Sequence, residues 1–363
     1  MKAEYSPRID LKNRTKLETV IPLDTPLVIF VDPSDACNFK CRFCPTSDRE
    51  LMKKVERPWK QMTFELFQKI AKDMTMFPGK VEVLRLYKDG EPLLNKKFAD
   101  MIKFAKDVGA SRYIDTTTNA SLLTKEKGKS IAEAGLDRIN ISIYGVSSEH
   151  YLNFSDAKIE FERVLNNVKD FYEVRGKCEM LVKVNGDSLN EKEKQTFLDY
   201  FGDYTDKIYI EHTMSCWPEF ELRGVKVNPE KGIYGQEINE INACPYPFYS
   251  FAINSDGLAS VCFLDWGRKM IVGDARAQSV QSIWNGDGLK AYRKMFLEGK
   301  RKDHSVCSGC GQMTHGLPDN IDPYRENILS NLNQAGYFQE VGDPLVLEKN
   351  ITSSGYAKKS SAV

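Results

Sequence analysis

The chain has 363 residues, 41% of them hydrophobic, and its 51 Lys and Arg residues balance 51 Asp and Glu residues. That length exceeds one average domain and predicts one large core with a smaller unit beside it, while the balanced charge offers no field for nucleic acid or an anionic membrane. No apolar run reaches membrane-spanning length and the start, Met1 to Pro7, lacks the apolar core of a signal peptide, so the expectation is a cytoplasmic protein whose nine cysteines serve metal or redox chemistry rather than disulfides.

In chain order, residues 1–24 read as an N-terminal extension, and the apolar, β-branched run Thr25–Asp32 predicts a buried strand. Directly after it come Cys37, Cys41 and Cys44, three cysteines within eight residues. A closed structural metal site wants four thiolate or imidazole ligands, and the first histidine of the chain is His150. Three thiols therefore point to a metal group with one coordination position open for chemistry. Their spacing lets one loop wrap a cubane iron-sulfur cluster. The loop follows the C-terminal end of a strand, where barrels and open α/β sheets place their active sites.

Strand-like and helix-like segments then alternate to about residue 215, the pattern of a parallel sheet with crossover helices. Further strands are predicted at Val81–Tyr87, Tyr113–Thr118, Arg138–Tyr144, Lys177–Val184 and Lys207–His212. Helices are predicted from the N-cap Thr63 to Met74 and over Phe98–Asp107, Lys125–Ala134 and Ile159–Tyr172, where apolar residues recur at helical spacing. Cys178, on the strand end away from the cysteine loop, reads as a small apolar filler.

From Pro218 to Ala243 the alternation fails, and Pro, Gly and Asn residues mark a connection. Beyond it, Phe251–Cys262 predicts a hairpin whose turn, Asn254 to Gly257, holds the glycine such turns need. Cys244, Cys262, Cys307 and Cys310 form a full ligand set for a 4Fe-4S cluster or for structural zinc, and taken alone they favour zinc. Residues 321–363 read as a helical segment and a tail, with its Ser- and Lys-rich last ten residues expected to be disordered.

The pattern Cys37-x3-Cys41-x-Phe43-Cys44 resembles the signature of the radical S-adenosylmethionine (radical SAM) enzymes. With four more cysteines following, the arrangement resembles a member that carries a shortened SPASM-type extension, called a twitch domain. The resemblance implies an α/β fold, a partial (β/α)6 barrel at residues 25–217, a linker at 218–243 and a small auxiliary cluster domain at 244–320. It also implies SAM and two 4Fe-4S clusters. The first would sit on Cys37, Cys41 and Cys44, with SAM chelating its open iron, and the auxiliary one on Cys244, Cys262, Cys307 and Cys310. A full SPASM domain has about seven cysteines and two clusters, so four here set one auxiliary cluster as the ceiling.

Further segments resemble those by which the family holds SAM. Lys88–Leu94 matches its Gly-Gly-Glu-Pro segment, with Asp89 in place of the first glycine and Gly90, Glu91 and Pro92 retained. Asn119 stands where polar residues reach the ribose, and Ser142 where the SAM carboxylate or ribose is met. Many members have an acidic residue in place of Tyr144, and an arginine that pairs with the SAM carboxylate has no clear counterpart here, which leaves Lys183 or Arg163 as substitutes. With Phe43, the aromatic of the motif, these form the expected SAM-contacting set.

The extension before the first strand is too short for the leader-peptide binder of many peptide-modifying relatives, which favours a polar small molecule such as an aminocyclitol, a sugar or a nucleotide sugar. Arg85, Tyr87, Lys183 and Glu211 lie on strands whose ends face the expected cavity, and Glu211 to Phe220 would line its mouth. The leading expectation is dehydrogenation with the auxiliary cluster as electron acceptor. A second is epimerisation with Cys216 returning a hydrogen atom, against which Cys216 also reads as an incidental buried thiol; a third is peptide modification. An external one-electron reductant such as flavodoxin or ferredoxin is the expected partner. From a different class, the chain also reads as a zinc- or cluster-bearing binding or electron-transfer protein.

Overall fold

A computed structural model describes residues 1–11, 13–316, 319–339 and 341–344. Its first part holds strands β1 (Glu4–Tyr5), β2 (Val28–Val31), β3 (Val81–Arg85), β4 (Ser111–Thr118), β5 (Arg138–Ile143), β6 (Glu179–Asn185) and β7 (Lys207–Glu211). Helices α1 (Arg49–Lys54), α2 (Phe64–Met74), α3 (Phe98–Asp107), α4 (Lys125–Glu133), α5 (Ser148–Ser155), α6 (Phe161–Val174) and α7 (Glu191–Phe201) lie between them. Strands β2 to β7 are mutually parallel neighbours in chain order, which is the partial (β/α)6 barrel.

Period-two alternation divides the strands into two faces. Ile139, Ile141, Ile143, Val182, Val184 and Ile208 are buried on the outer face against the helices, and burying each such side chain contributes about 1.5 to 3 kcal/mol. Phe67, Ile70 and Met74 of α2 and Val164, Val168 and Phe171 of α6 meet them from the helix side. The helices start where side-chain caps accept the free backbone N–H groups. Thr63 Oγ1 accepts from Leu66 N (3.3 Å), Thr124 Oγ1 from Lys127 N (3.3 Å), and Asn190 with Glu193 forms a reciprocal capping box.

The second part holds α8 (Tyr246–Tyr249), β8 (Ser250–Ile253), β9 (Leu258–Ser260), β10 (Ile271–Asp274), α9 (Val280–Trp284), α10 (Asp287–Leu297), α11 (Ser305–Ser308), α12 (Gln312–His315) and α13 (Arg325–Gln334). The expected hairpin is β8–β9, with Gly257 at φ +91° in its turn. Strand β8 runs parallel to β2, so one ten-stranded sheet continues from the barrel into this part.

At the other edge, β1 pairs in parallel with β7, so the N-terminal extension supplies a strand that the sequence does not announce. A partial barrel leaves two rows of unpaired backbone groups, on β2 and β7, and these two additions cover them. Trp284, fully buried against Phe251, donates from Nε1 to Leu23 O (2.9 Å) and ties the two parts together. The residues expected to form a disordered tail lie outside the described residues, and among the described residues no helix is long and apolar enough to cross a membrane.

Candidate active site

The cysteine loop leaves β2 and is gripped from both sides. On its outer side, Lys40 N and Arg42 N donate to Ser155 O (2.8 Å) and Phe154 O (2.9 Å) at the end of α5. On its inner side lies the turn after β3, where Glu91 N donates to Ala36 O (2.9 Å). Gly90 is required there, because a Cβ would stand 2.2 Å from both Ser34 O and Ala36 O. Burial pushes the Cys37 thiol up to about 12, and burial together with its neighbours Cys37 and Cys44 raises Cys41. Cys41 is buried and Cys37 and Cys44 are half-buried where the protein provides little positive charge, and thiolates persist in such a place when a metal group supplies it.

The second cysteine set surrounds a small apolar cavity whose lining includes Pro218, Val261, Met270, Val306 and Met313. Cys244 precedes α8, Cys262 follows β9, and Cys307 and Cys310 lie in and just after α11. Leu264 N donates to Cys262 Sγ (3.4 Å), and Arg301 Nη1 donates to Cys307 O (2.6 Å). Burial pushes the Cys244 thiol up to about 12 and raises the other three.

Tetrahedral zinc would draw four sulfurs to about 3.8 Å of one another, given a Zn–S bond of about 2.3 Å. Among the described residues, the ligand-type side chains gathered in threes within 4.8 Å are Asp32, Asp35 and Asp89, so neither cysteine set has that compactness. Four thiols spread around an apolar cavity fit a cubane cluster better than a single ion.

Two of the three carboxylates have cationic partners, while Asp32 accepts from Ser34 N (3.3 Å) and Asp89 N (3.4 Å) and is raised by burial and by its two acidic neighbours. Arg268 holds Asp35 (2.6 and 2.7 Å), Lys88 holds Asp89 (2.7 Å), and Arg57 lies 4.0 Å from Asp89. Lys88 also donates to Asp265 O (3.1 Å), so Asp89, which stands where the family has glycine, helps join the cysteine loop to the second part.

Phe43 and Tyr144 stack with centroids 5.9 Å apart and planes at 12°. They line a slot of about 300 Å³ together with Ile143, Phe154, Leu189 and Val225, and Asn185 and Ser188 offer polar edges. Flat apolar walls with polar edges suit a heteroaromatic ring such as adenine. Sequence reasoning missed Asn185 and Ser188, although polar residues just past a strand's C-terminal end were the available signal.

The other expected SAM contacts occupy distinct roles. Glu91 is buried and its carboxylate accepts from Leu93 N (3.1 Å), Thr118 Oγ1 (2.6 Å) and Asn119 N (2.9 Å), so it secures the turn and the end of β4; Pro92 opens that turn. Asn119 donates to Asn38 Oδ1 (3.0 Å) and accepts from Ser121 Oγ (2.6 Å), which links the end of β4 to the cysteine loop. Ser142 lies beside Lys183 in the β5–β6 register, and Lys183 is bound to Glu211 (2.5 Å). Arg163 is on the exposed face of α6 and does not join the site.

The same register lines the barrel interior with polar groups. Arg85, Asp115, Arg138, Asn140, Ser142, Glu179, Lys183, Tyr209 and Glu211 alternate with the apolar outer face. Cys216 stands between the two cysteine sets: its backbone O is 3.9 Å from Cys310 Sγ. Burial first, then Cys310 and Cys44, raise its thiol above the usual value against opposing effects of its own backbone N–H and of Lys183.

Residues 31–197 match the radical SAM superfamily, and residues 244–311 match the SPASM iron-sulfur cluster-binding domain. The chain is 29% identical over 136 residues to the PqqA peptide cyclase of Bradyrhizobium diazoefficiens, covering 37% of this chain and 32% of that protein. It is 22% identical over 297 residues to the S-adenosyl-L-methionine-dependent 2-deoxy-scyllo-inosamine dehydrogenase of Niallia circulans, covering 81% and 96%. The chain spans about half or less of the length of several other curated relatives it matches. Native anSMEcpe with bound AdoMet has a similar fold, with a TM-score of 0.58 at 14% identity over 90% of this chain and 100% of that one.

Proposed function

We propose that this chain, a radical SAM protein with a C-terminal SPASM iron-sulfur domain, oxidises a polar small molecule of the sugar or aminocyclitol type held inside its barrel. With 4Fe-4S on Cys37, Cys41 and Cys44, the bound cofactors supply reductive cleavage of SAM to methionine and a 5'-deoxyadenosyl radical, which takes a hydrogen atom from the substrate. The observation that carries the reading is the polar face that strands β5, β6 and β7 turn to the barrel interior, with Cys310 beside Cys216 beyond the end of β7.

Phe43, Tyr144, Asn185 and Ser188 would hold the adenine, the turn at Gly90 would present backbone carbonyls to the SAM ammonium, and Ser142 would meet its carboxylate or ribose. Glu211, buried and bound to Lys183, would take the proton that the substrate radical releases. Cys244, Cys262, Cys307 and Cys310 would fill every protein-facing position of an auxiliary cluster, which suits accepting the second electron rather than binding substrate. The likeness to an aminocyclitol dehydrogenase over 81% of this chain supports the same reading. A cytoplasmic location and an external one-electron reductant such as flavodoxin or ferredoxin belong with it.

One observation favours a second reading: Cys216, a half-buried thiol beside Cys310, could return a hydrogen atom and make the reaction an epimerisation. Anaerobic turnover with a panel of cyclitols and sugars, 2-deoxy-scyllo-inosamine among them, separates the two. Oxidation gives a product two hydrogens lighter with one 5'-deoxyadenosine per product, and Cys216→Ala leaves that product unchanged. A product of unchanged oxidation level that carries solvent deuterium, and that Cys216→Ala loses, would replace oxidation by epimerisation.

A further inference from the structure

The N-terminal segment does more than cover a sheet edge. After β1, Ser6 N donates to Ile208 O (3.2 Å), and the chain then turns inward so that Arg8 enters the barrel. Arg138 Nη1, at the start of β5, donates to Arg8 O (3.0 Å) and fixes the backbone there. The Arg8 guanidinium reaches up the interior, and its Nη1 donates to the Tyr87 hydroxyl (2.6 Å), just past the C-terminal end of β3. Arg85 donates to the same hydroxyl (3.0 Å) from its own Nη1. Two cations therefore converge on one neutral oxygen.

The charges around them do not close. Arg138 is bound to Glu179 (2.7 Å) and Lys183 to Glu211 (2.5 Å), so these interior cations have partners. Arg85 has Asp115 at 3.8 Å, beyond a hydrogen bond, and among the described residues Arg8 forms no ion pair. Arg8 Nε, Arg85 Nε and Asp115 Oδ1 are buried without a hydrogen-bond partner. Burial works against both charges, yet a guanidinium keeps its proton, and the carboxylates of Asp115 and Glu211 favour the charge of Arg8 as Asp115 favours that of Arg85 against repulsion from Arg8. Buried donors left unmade are costly, and a guanidinium pair presents two planar forks suited to an oxyanion.

We propose that Arg8 and Arg85, bridged by Tyr87, form an anion subsite in the barrel interior that binds a phosphate or carboxylate group of the substrate. This rests on the reading of that interior as the substrate chamber, and it narrows the class to acidic or phosphorylated sugars and cyclitols.

The test measures binding of inorganic phosphate and of acetate to the reconstituted full chain, by calorimetry at fixed ionic strength, with uncoupled 5'-deoxyadenosine formation followed separately. One saturable site per chain is expected for at least one probe, and the tighter probe names the group. Arg8→Ala and Arg85→Ala should each weaken it about 10- to 100-fold. Arg8→Lys, which keeps the charge but loses the fork, should weaken it less than Arg8→Ala does. Arg112→Gln, on an exposed pair with Glu82, should leave it unchanged. Binding of neither probe, or unchanged affinity in the folded Arg8 and Arg85 variants, overturns the subsite. If phosphate binds as expected while the wild-type chain forms no 5'-deoxyadenosine, it is the radical reading that fails.

Discussion

Gly90→Ala places one methyl group where the turn after β3 meets the cysteine loop. Its Cβ would stand 2.2 Å from Ser34 O and Ala36 O and 2.8 Å from the Ala36 carbonyl carbon, and all three are backbone atoms. Ordinary contact begins near about 3.5 Å, so one of the two segments must retreat by more than about 1 Å. No flexible side chain lies there to absorb it. Overpacking of this kind costs about 1 to 3 kcal/mol, and separating Glu91 N from Ala36 O adds about 0.5 to 1.5 kcal/mol, so a total of about 1.5 to 4.5 kcal/mol is expected. Ala36 directly precedes Cys37, which means the shift falls on the first cysteine set and leaves the second in place. Urea unfolding of the apo chain, iron content after reconstitution and SAM binding form the assay. The midpoint should fall, iron should drop toward half and SAM binding should be lost. A variant with the wild-type midpoint and full SAM affinity would refute the packing that this account gives to the turn.

Ser142→Ala should weaken SAM binding by about 0.5 to 1.5 kcal/mol without changing iron content, as read by equilibrium binding. Asn119→Ala should do the same and also lower stability, because it releases Asn38 and Ser121; unchanged SAM affinity in both variants would mean the pocket lies elsewhere. Burial opposes the Asp89 charge, but Lys88, Arg57 and Arg268 outweigh it and hold the carboxyl below its usual value. A depressed carboxyl contributes stability above the usual carboxylate value, and that stability is lost as pH falls through about 4 and below. Asp89→Asn should therefore flatten the acid limb of apo-chain stability, while at neutral pH it costs about 3 to 5 kcal/mol because Lys88 loses its partner. Parallel acid limbs in urea midpoints would contradict this.

Local chemistry made part of the molecule legible. Thr63 caps a helix, Asn254 to Gly257 turns a hairpin, and the alternating strands lie within a few residues of their expected places, because each depends on neighbours in sequence. Spacing also singled out both cysteine sets, and the structure gathers each one. Tertiary events stayed hidden. Glu4 and Tyr5 form a strand only because the β7 edge is open, and Arg8 acquires its place only from the barrel that it enters. Glu91 reads as part of a segment whose backbone carbonyls meet SAM, and the motif does not announce that its carboxylate binds Leu93, Thr118 and Asn119. Helix α7 escaped notice because Phe197 and Phe201 are its buried anchors and charged residues fill most of the rest.

Two separate iron-sulfur clusters serving one barrel are tested most directly by metal analysis of the anaerobically reconstituted chain. About eight irons and eight sulfides per chain are expected, falling to about four when Cys37, Cys41 and Cys44 are all changed to Ala, with loss of all SAM cleavage. Zinc bound at Cys244, Cys262, Cys307 and Cys310 in a fully active chain, or iron content unaffected by the triple change, would contradict this.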